Sequence, residues 1–293
     1  MELRQIEYFL AVVEHEGING AAAALGVAQP TVSQALRGLE RELGVQLFHR
    51  IGRGMVLSAA GRTMVGPGRQ ILRDVTAVED LLATAGGELV GKLDIMAFPA
   101  LAVDPLVGLI ADFRRAYPKV TVRFTDLREE AQAASVIRDG HCEFVVAHLP
   151  IDDASLEVEV LGSQEYWLVY PPGTDIPPGP VALGDLPQIP MVFVPRGHSL
   201  ADEIEEAIRV AGARLPLAVL AEHREERLPM VLAGIGGTIL ERTMAESAAD
   251  RAVVRPTSPR FERPFGLAYD PTTLSPVGRA FVDMVRAAGL TPH

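Results

Sequence analysis

Apolar residues at the start of the chain recur with a helical period. Leu3, Ile6, Leu10 and Val13 share one face of a segment from Glu2 to about Glu14, which His15-Glu16-Gly17 ends. Asn19 is placed to cap a short alanine-rich helix, Gly20 to Leu25, stopped by Gly26. Pro30 then opens a third helix, because the N–H that proline lacks goes unbonded in a first turn anyway. Its apolar face is Val32, Leu36, Leu39 and Leu43, and Gly44 ends it. The other face carries Thr31, Ser33, Gln34, Arg37 and Arg41. Two short helices joined by a tight turn, the second with a polar and cationic outer face, form a helix-turn-helix pattern.

The period then changes. Val45, Leu47 and Phe48, an Arg50-Ile51-Gly52-Arg53-Gly54 turn, and Met55, Val56 and Leu57 predict a β-hairpin wing. Ser58 can cap a long helix from Ala59 to about Ala85. Ile71, Val75, Val78 and Leu82 form a seam on it suited to another helix. Gly66-Pro67-Gly68 should bend or loosen its first third, and Gly86-Gly87 should end it.

From Leu89 onward strands and helices alternate. Strands are predicted at Leu93–Phe98, Val120–Thr125 and Glu143–His148, with helices from about Leu101 to Ala116 and from Glu129 to Arg138. Val158–Leu161 and Tyr166–Tyr170 lead into a proline-rich stretch, Pro171 to Pro190. A second set follows at Met191–Val194, Leu200–Ala211, Leu217–Leu220, Arg224–Ala233 and Thr238–Leu240. Phe265–Ala268 is a last strand, and Ser275 caps a final helix to about Ala288. This alternation predicts an α/β region with a mainly parallel sheet covered by helices on both faces.

Composition narrows the function. No run approaches the roughly 20 apolar residues a membrane-spanning helix needs. Met1-Glu2-Leu3-Arg4 does not read as a secretory leader, so a cytoplasmic protein is expected. One cysteine, Cys142, excludes an internal disulfide and a multi-cysteine zinc site. The net charge of −11 argues at first against a nucleic-acid partner. Residues 1–62, however, hold six Arg and six Glu, so the acidic excess lies entirely downstream. A neutral module binds DNA if its arginines share a face.

The block Ala21-Ala22-Ala23-Ala24-Leu25-Gly26-Val27-Ala28-Gln29-Pro30-Thr31-Val32-Ser33-Gln34-Ala35-Leu36-Arg37-Gly38-Leu39-Glu40 resembles the LysR-type transcriptional regulators. So do its continuation Glu42 to Arg50 and the segment Leu57-Ser58-Ala59-Ala60-Gly61. The resemblance continues more weakly through Phe113-Arg114-Arg115-Ala116-Tyr117-Pro118, Val231 to Gly237 and Leu274-Ser275-Pro276. It implies a winged helix-turn-helix at 1–58, a dimerising linker helix at 59–87, and a two-lobed effector domain at 88–293 like the type 2 periplasmic binding proteins. Lobe 1 would be about 88–162 and 266–293, lobe 2 about 163–265, with crossovers near Gly162–Ser163 and Arg263–Phe265. The partners implied are double-stranded DNA, a small-molecule effector, and further copies of the chain as a dimer or tetramer, with no cofactor and no metal.

DNA-contact candidates are Gln29, Pro30, Thr31, Ser33, Gln34 and Arg37 on or before the third helix, with Arg50 and Arg53 on the wing. A glutamine reads adenine, and an arginine grips guanine or phosphate. Where the family commonly has Arg after the Ser, this chain has Gln34, which should change sequence preference or lower affinity. Ligands of two-lobed α/β sensors sit at strand C-termini and helix N-termini between the lobes. That selects Pro99, Ala100 and Leu101, Arg128 in the segment Asp126–Arg128, and His148 from lobe 1, with Arg196, His198 and His223 from lobe 2. Many relatives place a Ser or Thr hydroxyl at position 100 to hold a carboxylate. Ala100 lacks it. Cys142 beside His141 invites a nucleophile–base reading, but neighbours in a strand face opposite ways, and a small buried hydrophobe is expected. Gly234 to Gly237 precedes a strand and lacks a following Lys-Ser/Thr, so it reads as a turn. No catalytic cluster stands out, and an enzyme is not expected.

Overall fold

A computed structural model of the protein describes residues 1–51, 54–83, 88–102, 106–194 and 199–289. Three helices open the chain: α1 (Leu3–Glu14), α2 (Ile18–Leu25) and α3 (Gln29–Leu43). The hairpin strands β1 (Phe48–Ile51) and β2 (Gly54–Leu57) pair antiparallel, and α4 (Ala59–Ala83) follows. These elements share one core of Ile6, Phe9, Leu10, Val32, Leu36, Leu39 and Leu47, with Val65 of α4 included.

Local details depart from the periodic reading. Helix α2 starts at Ile18, two residues before the expected Gly20, and is capped by Gly17 without a side-chain bond. Helix α3 starts at Gln29, with Pro30 inside its first turn. Leu3 and Leu43 are exposed, because the stripe they were assigned to narrows at the helix ends. Helix α4 runs unbroken through Gly66-Pro67-Gly68, since neighbouring structure fixes it there. Ser58 caps it as expected, with Oγ accepting from the Gly61 N–H at 2.9 Å. The predicted end at Gly86-Gly87 lies outside the described residues.

The rest of the chain forms β3 (Gly91–Ala97), α5 (Leu106–Ala116), β4 (Val120–Asp126), α6 (Ala133–Arg138), β5 (Phe144–His148) and β6 (Glu157–Tyr170). Then come β7 (Val181–Ala182), β8 (Met191–Phe193), α7 (Ser199–Val210), β9 (Leu217–Leu220), α8 (Arg224–Leu232) and β10 (Thr238–Glu241). The chain ends in α9 (Arg242–Glu246), β11 (Val253–Tyr269) and α10 (Pro276–Ala287). One sheet has the order β10-β6-β11-β5-β3-β4, with β7 paired to β11, and β8 and β9 form a second, two-stranded sheet. Strand β3 runs parallel to β4 and β5, while β10 runs antiparallel to β6, so the sheet is mixed.

Three predicted elements change character. Pro99–Leu101 is a single 3-10 turn rather than a helix start, and α5 is described from Leu106 to Ala116. Glu130–Gln132 is likewise a 3-10 turn before a short α6. Strand β11 is 17 residues long where only its last few were expected. Its first part holds three prolines and shows no sustained alternation of buried and exposed positions, so the sequence read alone argues against a strand there.

The described chain divides into two compact units, Met1–Val160 with Gly266–Leu290, and Leu161–Phe265. The first therefore holds the winged helix, α4 and the first α/β lobe. Helix α10 returns to that lobe, where Phe281 packs edge-on between Phe113 (5.1 Å between centroids) and Phe144 (5.5 Å). The second unit has its own core around Tyr166, Leu168, Tyr170, Met191, Ile204 and Ile208.

Candidate DNA interface and effector face

The helix-turn-helix is held by few but specific bonds. Gly26 takes the left-handed conformation (φ 66°) that ends α2 and turns the chain into α3. Glu40, on the inner side of α3, accepts from the backbone N–H of Leu47 at 2.8 Å and of Phe48 at 3.4 Å. That pins the foot of the wing to α3, and Phe9 packs on Phe48 at 5.4 Å. Ser58 Oγ donates to the Gln46 carbonyl at 2.6 Å, closing the wing against α4. A side-chain atom on Gly61 would lie 2.1 Å from the Leu47 carbonyl oxygen, so glycine alone lets α4 cross there.

Gln29, Pro30, Thr31, Gln34 and Arg37 are all exposed along the outer side of α3. Ser33 is not among them. It is 5 % exposed, and its Oγ accepts from Arg37 Nη2 at 2.9 Å. The sequence put Ser33 on the outer face because α-helical spacing allows it, whereas packing turns it inward to hold the arginine. Arg50 is exposed on β1, and Arg53 lies outside the described residues. Several of the module's acids are engaged elsewhere: Glu40 at the wing foot, Glu42 at the Met1 amine, and Glu14 3.9 Å from Arg69. A module neutral overall thus presents Arg37, Arg41 and Arg50 outward.

The effector candidates of the first unit gather at the ends of three strands. The Phe98 N–H donates to the Val146 carbonyl at 2.9 Å, and the Leu127 N–H to that of Ala97 at 2.8 Å. This brings the Pro99–Leu101 turn, the start of the Arg128 segment and His148 into one neighbourhood. Pro99 and Arg128 are exposed, Ala100 is nearly buried, and Leu101 is wholly buried, which makes it a core residue. His148 is 3 % exposed, sits edge-on to Phe98 at 5.8 Å between centroids, and has Nδ1 against Glu130 Oε1. Glu130 was missed by sequence reasoning. The available signal was His148 itself, a polar group ending a fully buried strand and so in need of a partner.

In the second unit His223 is exposed at the N-cap of α8, while Arg196 and His198 lie outside the described residues. The buried polar groups there are others. Arg224 Nε donates to Glu241 Oε1 at 3.0 Å, and Arg227 Nη1 donates to the Ile239 carbonyl at 3.2 Å. Burial pushes the Arg227 pKa down from its ordinary value, with Glu241 opposing.

Cys142 is buried and its thiol is pushed up to about 12, chiefly by desolvation, so it carries no thiolate at neutral pH. Among the described residues no group of three His, Cys, Asp or Glu is gathered to hold a metal ion. No described helix is long and apolar enough to cross a membrane.

Comparison with known proteins decides the family. Residues 3–62 match the bacterial regulatory helix-turn-helix protein of the lysR family, and residues 86–289 match the LysR substrate binding domain. The chain belongs to the LysR family. It is a DNA-binding transcriptional regulator with an effector-binding domain. This LysR regulator is 29 % identical to the HTH-type transcriptional regulator TcbR of a Pseudomonas species, over 98 % of each chain. It is 28 % identical to the dual regulator OxyR of Escherichia coli, over 92 % of this chain and 90 % of that one. Full-length CbnR, solved in complex with its target DNA, has the same fold at a TM-score of 0.70 and 24 % identity, covering 98 % of this chain and all of that one.

Proposed function

We propose that this regulator reads DNA with the outer side of α3 and is controlled by a small molecule bound at the strand ends of its first lobe. The observation that carries the first half is the exposed row Gln29, Pro30, Thr31, Gln34 and Arg37, with Arg37 braced by buried Ser33. Gln34 and Arg37 contact base edges or phosphate, Gln29 and Thr31 flank them, and Arg50 and Arg53 lie along the backbone. Two copies paired through the exposed Val78 and Leu82 of α4 would set two such helices in successive major grooves. The protein acts by binding rather than turnover, in the cytoplasm where the chromosome is.

For the effector, Pro99, Ala100 and His148 form the primary contacts, with Arg128, Arg196, His198 and His223 as further candidates. Position 100 offers no hydroxyl, and His148 is already bonded to Glu130. A simple carboxylate therefore lacks a side-chain hydroxyl at position 100 and meets the Glu130 carboxylate beside His148, and a neutral or amine-bearing effector fits these positions better. Fluorescence anisotropy with the gene's own upstream DNA tests the first half. Tight, salt-dependent binding that Arg37→Ala weakens is expected; no binding at low salt, or an indifferent variant, overturns it. A thermal-shift screen of organic acids, amines, aromatics and nucleotides tests the second, with at least one stabilising compound expected. No hit in any class overturns it.

A further inference from the structure

Helix α4 touches the first lobe at the turn that follows α6, and both sides use glycine to come close. A side-chain atom on Gly66 would lie 2.6 Å from the Arg138 carbonyl oxygen, and one on Gly140 would lie 2.7 Å from Arg73 Nη1. Gly140 is left-handed (φ 67°), its N–H donates to the Ile137 carbonyl, and the His141 N–H donates to that of Val136. These two bonds are the Schellman closure of a helix end, which fixes where the His141 backbone stands. Arg69 Nη1 donates to the Asp139 carbonyl at 3.0 Å and lies 2.9 Å from His141 Nε2, while Arg73 Nη1 donates to the Gly140 carbonyl. Arg69 also faces Glu14 of α1 at 3.9 Å. One guanidinium thus joins the winged helix, the linker helix and the first lobe.

An arginine only donates. Its contact with His141 Nε2 needs the ring lone pair, so the imidazole there is neutral with its proton on Nδ1. We propose that Arg69 and His141 form a proton-operated catch, which holds the linker helix to the first lobe while His141 is neutral and releases it when His141 is protonated. Protonation removes the one ring lone pair that accepts from Arg69 and sets two cations in contact, leaving the bond from Arg69 to the Asp139 carbonyl to hold against that repulsion.

The charged groups around His141 come from every neighbouring element. Arg69 and Arg73 on α4 oppose a second positive charge, while Glu14 on α1 and Asp139 in its own turn favour it. Glu7, Asp94 and Arg123 line the same cleft, whose volume is about 500 Å³. This cleft gives protons from solvent access to the ring, whose residue is exposed overall. Burial first, and Arg69 second, hold the His141 pKa below its ordinary value in the docked state. The sign follows: docking is fully supported above the ordinary histidine value and weakens as the pH falls below it. The weakening is about tenfold for each unit by which the docked pKa is lowered. A released α4 would free the winged helix from the sensor lobe, so acidification would alter DNA binding without any effector.

Hydrogen–deuterium exchange on the full-length protein between pH 7.5 and 5.5, corrected for intrinsic rates, tests the catch. In the wild type, amides of residues 66–73 and 139–141 should lose protection several-fold on acidification while β5 keeps its own. His141→Gln, which keeps an acceptor that does not titrate, should stay protected throughout. His141→Lys should exchange fast at pH 7.5. A flat wild-type profile, a His141→Gln profile that follows the wild type, or a protected His141→Lys each overturns the proposal. If His141→Lys does not fold, the His141→Gln comparison decides alone.

Discussion

The proposed recognition helix and the proposed effector face are built in opposite ways. Nearly every group on the outer side of α3 comes from one run, Gln29 to Arg37, and one helix fixes their spacing. The effector face joins Pro99 and Ala100 after β3 to Glu130 in a 3-10 turn and His148 at the end of β5. Those residues meet only because three parallel strands end together. A contiguous site tolerates changes in the fold around it, provided its helix stays seated. A composite site fails whenever any one of its strands or turns shifts.

The largest effect expected attacks the seating of the helix. Gly61→Ala forces a methyl into the Leu47 carbonyl, and should cost at the upper end of about 1–3 kcal/mol. Thermal denaturation should show the loss, and DNA affinity should fall with it although no contact residue has changed. Arg37→Ala leaves the helix seated and should weaken operator binding by about 1–3 kcal/mol, with the thermal midpoint moved less than by Gly61→Ala because only the bond to Ser33 is lost. If the two variants behave alike, reading and seating are not separable in this module.

On the composite side, Glu130→Ala leaves buried His148 without this carboxylate. Urea unfolding should report a loss of about 1–3 kcal/mol, and the hits of an effector screen should change as well. Glu143 supplies a pH test in the same lobe. It is buried at the entry to β5 and accepts from the Ser275 N–H at 2.6 Å and from the Ser275 hydroxyl at 3.1 Å. Burial raises its pKa above the ordinary carboxylate value, and the two bonds oppose that rise. A raised folded-state pKa gives stability that is complete below the unfolded value and is lost as pH rises through the folded one. The contribution of Glu143 to stability should therefore decline from about pH 4.5 upward, and in a series of urea melts Glu143→Gln should remove that part of the wild-type pH dependence. The smallest effect is a gain. Gly108 in α5 has open space where a side chain would go, so Gly108→Ala should stabilise by about 0.5–1 kcal/mol without touching either site.

Elements with their own period were legible. The stripes of α1 and α3 apart from Leu3 and Leu43, the Ser58 and Ser275 caps, and the strands read at Leu93–Phe98 and Glu143–His148 follow from local spacing, with ends shifted by one or two residues. The continuity of β6 through Gly162 and the first part of β11 were not, because a half-exposed strand broken by glycine or proline has no period to read. The candidate residues divide in the same way. Gln34 and Arg37 stand where the helix period puts them, but Ser33 turned inward and Leu101 sank into the core.

What the sequence determined by itself was a helix-turn-helix with a wing, an α/β region behind it, and the absence of a hydroxyl at position 100. These are properties of neighbours in the chain, set by dihedral preference, capping and period. The tertiary structure alone decided that Glu130 answers His148, that Ser33 braces Arg37, and that Arg69 reaches His141 across 72 residues. A buried polar group must find its partner in space, and nothing in local spacing says which distant residue that will be.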